Sequence, residues 1–384
     1  MNYNQQRKNS STVGLHLMCA TVFVLFCFGW LYFFEAEVLM MAQHVTSGGM
    51  THYNPLLGAV ITTLVLFLLQ QLVLRLTGLG KRGHALTYWP SMMLLGLLTS
   101  VRQSEGADIE WDFYWWTPVL LLLLWGLIVM LARQYQSIED NKDFGLFSAP
   151  MRINMLLMLM MILYVAWKGN TNAVFHYRMK AESCLMVGDM DGALKAGQKS
   201  LESDAPLLML RMYALARKGE LGERLFQYPI TATSEQMLPT DSLSGLLMLP
   251  ADTLYKFLGA RPAAPMSPMH YLQLIERKDT LPVGQAVADY KLCGYLIDRN
   301  LDGFASEIGR YYTINDSLPR HYREALTLYT HQRKNPVVEY HHPVMDEDYR
   351  NLVELEKKYP LSTERKGKVE EQFSGTYWYF YRYP

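Results

Sequence analysis

Long apolar runs fill the first part of the chain and stop at Gly169, after which apolar residues recur at helical spacing among charged ones. The runs cover 15–34, 56–76, 85–101, 115–132 and 151–168. Crossing about 30 Å of hydrocarbon takes roughly 20 mostly apolar helical residues, which the second and fourth runs meet comfortably. The third is the shortest and carries Pro90, Ser91 and Thr99, so a re-entrant or tilted segment is its alternative reading. The first follows Arg7 and Lys8 as a signal peptide would. It is longer than the roughly 7–15 apolar residues of a signal peptide and leads into Glu35-Ala36-Glu37 rather than a cleavage site, which predicts an uncleaved first transmembrane helix. Tryptophan and tyrosine gather at the run ends, at Trp30, Tyr32, Trp89, Trp111, Tyr114, Trp115, Trp116 and Trp167, where an interfacial aromatic belt belongs.

The loops between the runs carry unequal charge. Arg7 and Lys8, then Arg75, Lys81 and Arg82, then Arg133, Lys142 and Arg152 occupy one set of loops. The alternate set has no Lys or Arg over Gln43–Asn54, and only Arg102 beside Glu105, Asp108, Glu110 and Asp112. Basic residues resist translocation, so the N-terminus is expected in the cytoplasm and, after five crossings, everything beyond Gly169 outside it. Losing the third crossing would reverse that direction. The centres of the runs hold no Asp, Glu, Lys or Arg, which disfavours an ion- or proton-coupled transporter.

Beyond Gly169 the periodicity predicts helical hairpins. Phe175–Pro206 reads as one, turning at Gly188-Asp189, with Ala193, Gly197 and Leu201 on its second arm. A weaker one spans Met209–Tyr228, and a third spans Gln285–Tyr312, where Asn300-Leu301-Asp302-Gly303 repeats the register of Asp189-Met190-Asp191-Gly192. Seven prolines make 229–282 an irregular connector, with short helices expected at Ser242–Leu249 and Thr253–Leu258. Helices at Arg320–Gln332 and Asp346–Tyr359 follow. The first hairpin, through Gly188, Ala193, Gly197, Leu201 and Pro206, resembles a tetratricopeptide repeat, although Gly197 stands where an aromatic is commoner. The chain as a whole, with its closing Thr376-Tyr377-Trp378-Tyr379-Phe380-Tyr381 run, resembles an uncharacterised family of bacterial multi-pass inner-membrane proteins with a C-terminal tetratricopeptide-like domain. The resemblance supplies no activity; the repeat class implies a protein or peptide partner.

The expected fold class is therefore all-α. A five-helix transmembrane bundle (1–169) precedes a soluble, tetratricopeptide-like hairpin solenoid (170–384), outside the cytoplasm at the bacterial inner membrane.

Composition narrows the chemistry. With 36 basic and 36 acidic residues there is no global field to attract nucleic acid. The four cysteines form no CxxC pair; Cys184 and Cys293 could pair only if the fold brings them together. Glu35 and Glu37, on the outer side of the first run, resemble the paired carboxylates of membrane glycosyltransferases that use lipid-linked sugars, where one serves as base or metal ligand. Solvation at headgroup depth is the simpler reading. Asp108, Glu110 and Asp112 alternate as on one side of an extended segment, a solvated loop rather than a hard-cation site. His341 and His342 lack further ligands at recognisable spacing, so no metal and no cofactor is expected. Asp346–Asp348 favour the start of the next helix. The run Tyr377–Tyr383 alternates like a strand and is read as a docking segment. The leading expectation is a membrane protein presenting a protein-binding helical domain, in envelope scaffolding or assembly. A membrane enzyme acting on a lipid-linked glycan through Glu35 or Glu37 is the alternative, and a small-molecule transporter with a polar cavity the third reading.

Overall fold

The structure, a computed structural model, describes residues 3–104, 108–135, 148–239, 245–278 and 284–383. Glu105 and Lys142 of the loops lie outside them. Among the described residues the regular structure is helical apart from two short strands, and the chain divides into two units, Met1–Asn172 and Ala173–Pro384.

The first unit contains α1 (Tyr3–Gly29), continued by a π-helical turn at Trp30–Phe34, then α2 (Ala36–Thr46) and α3 (Pro55–Thr77). A 3₁₀ helix at Lys81–Tyr88 passes directly into α4 (Trp89–Leu98); strands β1 (Val101–Gln103) and β2 (Ile109–Trp111), α5 (Trp116–Tyr135) and α6 (Ala149–Lys168) follow. Among the described residues four helical stretches are long and apolar enough to cross a membrane: Val13–Phe34, Pro55–Thr77, Trp116–Gln134 and Ala149–Lys168. Their outward faces are bare leucine, isoleucine and valine, as at Leu64, Leu68 and Leu72 of α3 and Leu120, Leu123 and Leu127 of α5. In water such a surface would aggregate; against lipid tails it has no cost.

The third apolar run takes a form its sequence does not announce. Helical structure begins four residues early, at Lys81, and its first half is wound as a 3₁₀ helix. Asn154 of α6 is responsible: its buried Oδ1 accepts from the Ala85 N–H at 2.6 Å, and its Nδ2 donates to the Lys81 carbonyl at 2.6 Å. The larger rise of a 3₁₀ helix stretches Lys81–Leu98 to about 31 Å, close to the hydrocarbon thickness. This composite segment lies along the whole of α6 in the same direction. Ala85 sits opposite Asn154 at one end, and at the other the Asn170 N–H donates to the Thr99 carbonyl at 2.9 Å. The first helix runs parallel to both, with His16 stacked on His84 at 3.9 Å and the Trp30 indole donating to the Thr99 hydroxyl at 3.3 Å. α3 and α5 run the opposite way, since Gln70 reaches back to Thr87, and Arg133 lies beside Gly78. Arg75, Lys81, Arg82, Arg133 and Arg152 consequently cluster toward the end marked by Gly78 and Asn154.

The second unit begins with α7 (Ala173–Met186) and α8 (Met190–Lys195), then α9 (Ala205–Lys218) and α10 (Leu221–Arg224). Within the connector lie α11 (Ala251–Leu258) and α12 (Pro268–Lys278), and after it come α13 (Gln285–Ile297) and α14 (Leu301–Tyr311). α15 (Arg320–Gln332), α16 (Pro343–Lys358), α17 (Ser362–Phe373) and α18 (Tyr377–Arg382) complete it around one apolar core. The matching registers at 189 and 300 produce matching turns. Asp189 accepts from the Gly192 N–H at 2.8 Å and Asn300 from the Gly303 N–H at 2.9 Å, each capping its helix. A left-handed residue precedes each cap, Gly188 at φ 80° and Arg299 at φ 55°. Arg299 is the one non-glycine with positive φ among the described residues; its guanidinium lies over the Phe380 ring at 4.6 Å and donates to the Phe380 carbonyl at 3.1 Å.

The first hairpin departs from expectation in its second arm, because α8 stops at Lys195. The left-handed Gly197 (φ 61°) ends it and lets Tyr177 pack on the bare backbone, where an added Cβ would lie 2.5 Å from the ring. Buried Arg211 then takes the freed carbonyls of Ala196 and Gly197, each at 3.2 Å. Gly197→Ala should therefore combine left-handed backbone strain with overpacking, lowering stability by about 2–4 kcal/mol. Thermal unfolding of the full chain in detergent reads this out, and an unchanged midpoint would contradict the account.

Two further expectations are corrected, the first in the connector. Part of the expected Ser242–Leu249 helix, 242–244, lies outside the described residues, and 245–249 is not helical. There the N–H groups of Leu247, Met248 and Leu249 all donate to Glu182 Oε2, at 3.0, 2.6 and 3.0 Å, so they are not available to a helical ladder. The second correction concerns the terminal aromatic run, which is helical rather than extended. Thr376 accepts from the Tyr379 N–H at 3.2 Å and starts α18.

Candidate functional site

The carboxylates expected at headgroup depth separate. Glu37 is half-buried on α2, whereas Glu35 is not solvated: it is fully buried between the π turn and α2, and neither of its oxygens has a hydrogen-bond partner. Trp30, Thr99 and Gly169 surround it.

The acidic residues of the hairpin do not converge. β1 pairs antiparallel with β2, placing Glu110 opposite Arg102, and Arg102 bridges to Asp112 at 2.8 Å while Asp108 and Glu110 remain exposed. Exposed pairs of this kind add little stability.

Nor do the histidines form a metal centre. His342 is the N-cap of α16, its Nδ1 accepting from the Met345 N–H at 3.4 Å, and exposed His341 faces Asp346 at 3.5 Å. Among the described residues no group of three His, Cys, Asp or Glu is arranged to hold a metal ion. No disulfide joins Cys184 and Cys293, and the latter is buried with its Sγ 3.6 Å from the Tyr322 hydroxyl.

Convergence of polar side chains occurs instead in the second unit, in a groove of about 840 Å³ bordered by α15, α16, α17 and α18. One wall is a stripe on α16: Asp348, Asn351, Leu355 and Lys358 recur at helical spacing and share a face. Glu354 stands beside them, Arg320 enters from α15 and Gln372 from α17. The floor includes Trp378 and Glu324, both nearly inaccessible.

Glu324 fixes that floor. Its Oε2 accepts from the Tyr377 N–H at 2.7 Å and from His321 Nδ1 at 2.9 Å, its Oε1 accepts from Arg320 Nε at 2.8 Å, and its backbone carbonyl accepts from the Trp378 indole at 2.6 Å. His321 Nε2 in turn accepts from the Phe226 N–H at 3.3 Å, so the imidazole carries its proton on Nδ1 and points it at Glu324. These bonds commit Glu324 to holding the floor of the groove in place. Residues 270–384 match a family of unknown function, DUF6057. The DUF6057 segment begins inside α12 and contains the whole groove. No curated protein and no solved structure matches the chain.

None of the groove residues stood out in the sequence as a site. The stripe on α16 was legible as a periodic polar face; its partners on α15, α17 and α18 are brought in only by the fold. The first unit has a cavity of different character, about 450 Å³, lined by Leu66, Leu94, Leu97, Leu98, Trp111 and Phe113.

Proposed function

We propose that this is a five-pass protein of the bacterial inner membrane whose tetratricopeptide-like helical unit, outside the cytoplasm, binds a protein partner in envelope scaffolding or assembly. The observation that carries the binding reading is the groove within the DUF6057 segment, open to solvent and rimmed by both signs of charge, Arg320 and Lys358 against Asp348 and Glu354. Such a rim suits a polypeptide segment, which offers backbone donors, acceptors and mixed side chains, better than a ligand of one charge. The crossing count is supported by the composite Lys81–Leu98 segment keeping pace with α6 from end to end. The direction is supported by the basic residues collected at the opposite end from Gly169.

A photo-crosslinking residue at Asn351 or Gln372 is expected to capture one discrete protein in intact cells, while the same residue at exposed Glu235 or Lys334 captures none. Equal capture at all four positions would contradict the groove as the binding surface. Reporters fused after Gly169 and at the C-terminus should both be active outside the cytoplasm; a cytoplasmic signal at either would overturn the direction.

The membrane-enzyme reading draws on the buried, unbonded carboxyl of Glu35. A Glu35→Gln, Glu37→Gln double variant that keeps full function in cells removes it. The transporter reading needs a polar cavity, and the apolar lining of the cavity beside Leu66 gives it no support.

A further inference from the structure

Glu35 stands in surroundings that explain its burial but not its presence. It follows the π turn Trp30–Phe34, a helical irregularity frequent at functional sites. Its side chain is 0% exposed, and its Oε1 lies 3.0 Å from the position a Cβ on Gly169 would take, with Trp30 and Thr99 against the same point at 2.7 and 3.2 Å. The nearest donors are committed elsewhere. The Trp30 indole donates to the Thr99 hydroxyl at 3.3 Å, and that hydroxyl donates to the Leu95 carbonyl at 3.0 Å. The titratable groups toward this end of the elements packed around it are Tyr32 of the π turn, Glu37 and His44 of α2, Tyr53 before α3, Arg102 beyond α4, and Tyr164 and Lys168 of α6, while Arg75 of α3 and Arg152 of α6 lie at the opposite end. None bonds to Glu35: Lys168 donates to the Asp112 carbonyl at 3.4 Å and Arg102 pairs with the Asp112 side chain. An ionised carboxylate here would be buried without a counter-ion or a donor, the costliest state available to it.

We propose that Glu35 is a proton-binding site whose neutral carboxyl lets the ends of α1, α4 and α6 close together around Gly169, and whose ionisation parts them. The step is a simple dissociation: the carboxyl O–H bond breaks, the proton passes to water, and no electrons are transferred. Burial pushes the carboxyl up to about 8. The folded bundle thus holds the proton more tightly than the unfolded chain does. Its contribution to stability is complete below the ordinary carboxylate range and is lost as pH rises through about 8. Gly169 is where the chain leaves α6, so the site couples the pH at that end of the bundle to the segment leading to residue 173. This inference does not depend on the partner proposed for the groove.

The test uses the full chain in lipid nanodiscs. Hydrogen exchange at the Asn170 amide, which donates to the Thr99 carbonyl at 2.9 Å, is followed from about pH 6 to about pH 9 and corrected for intrinsic chemistry. Protection in the wild type is expected to fall about tenfold or more across that window, and to stay level in Glu35→Gln. Infrared difference spectra of the wild type against the same variant should show a carboxylic-acid carbonyl band near neutral pH that disappears at alkaline pH. Flat wild-type protection overturns the proposal whatever the variant does. An equal fall in the variant, or no acid band at neutral pH, also overturns it.

Discussion

Glu324→Ala is expected to release the terminal helix α18 and to destabilise the second unit by about 3–5 kcal/mol, the usual consequence of deleting one member of a buried, bonded charge network. One side chain receives the Tyr377 N–H, the His321 proton and the Arg320 guanidinium, so its loss orphans all three. The damage should be local at first. Phe226, which meets the rings of Tyr377 and Phe380 at 4.9 Å each, loses that cover, while the Lys291 cluster with Glu276, Glu307 and Tyr311 is untouched. Limited proteolysis should therefore cut at 374–383 and at the turn around Arg299 before the bodies of α13 and α14, and denaturant unfolding of the full chain should show the loss. Stability within about 0.5 kcal/mol of the parent would mean that α18 is held by its aromatic packing alone.

Glu182→Ala should cost a similar amount, about 3–5 kcal/mol, by leaving three consecutive buried N–H groups without an acceptor. The carboxylate replaces, with one oxygen, the bonds a helix would have supplied to Leu247, Met248 and Leu249. Glu182→Gln keeps an acceptor oxygen and should lose less. Amide exchange at residues 247–249 separates the cases: fast in the alanine variant, intermediate in the glutamine variant. Unaltered protection in Glu182→Ala would show that these amides have another acceptor.

The contrast between what was and was not readable follows the range of the interactions involved. Four of the five apolar runs and the matching turns at Asp189 and Asn300 depend on neighbours within a few residues, and these formed close to where the pattern placed them. The third run's early, 3₁₀ start depends on Asn154, 69 residues away from Ala85. The burial of Glu35 depends on α4 and α6 meeting it at Thr99 and Gly169, so adjacency to a membrane run suggested solvation instead. The aromatic alternation from Tyr377 looked extended because period two was judged alone. The competing signals were a threonine cap and an indole reaching Glu324, and only the cap is local. For the groove, the α16 stripe was periodic, but polar stripes on helices are usually solvated faces. What distinguishes this one is the opposing wall.

Arg299 has a consequence for how the second unit comes apart. A left-handed arginine is tolerable only while something compensates the backbone, and here the compensation is its grip on Phe380. The turn between α13 and α14 and the last helix of the chain are therefore a single cooperative element although 81 positions separate the two residues. If α18 peels away, the turn at 299 relaxes with it, and the unit should open from both places at once rather than fray from its end.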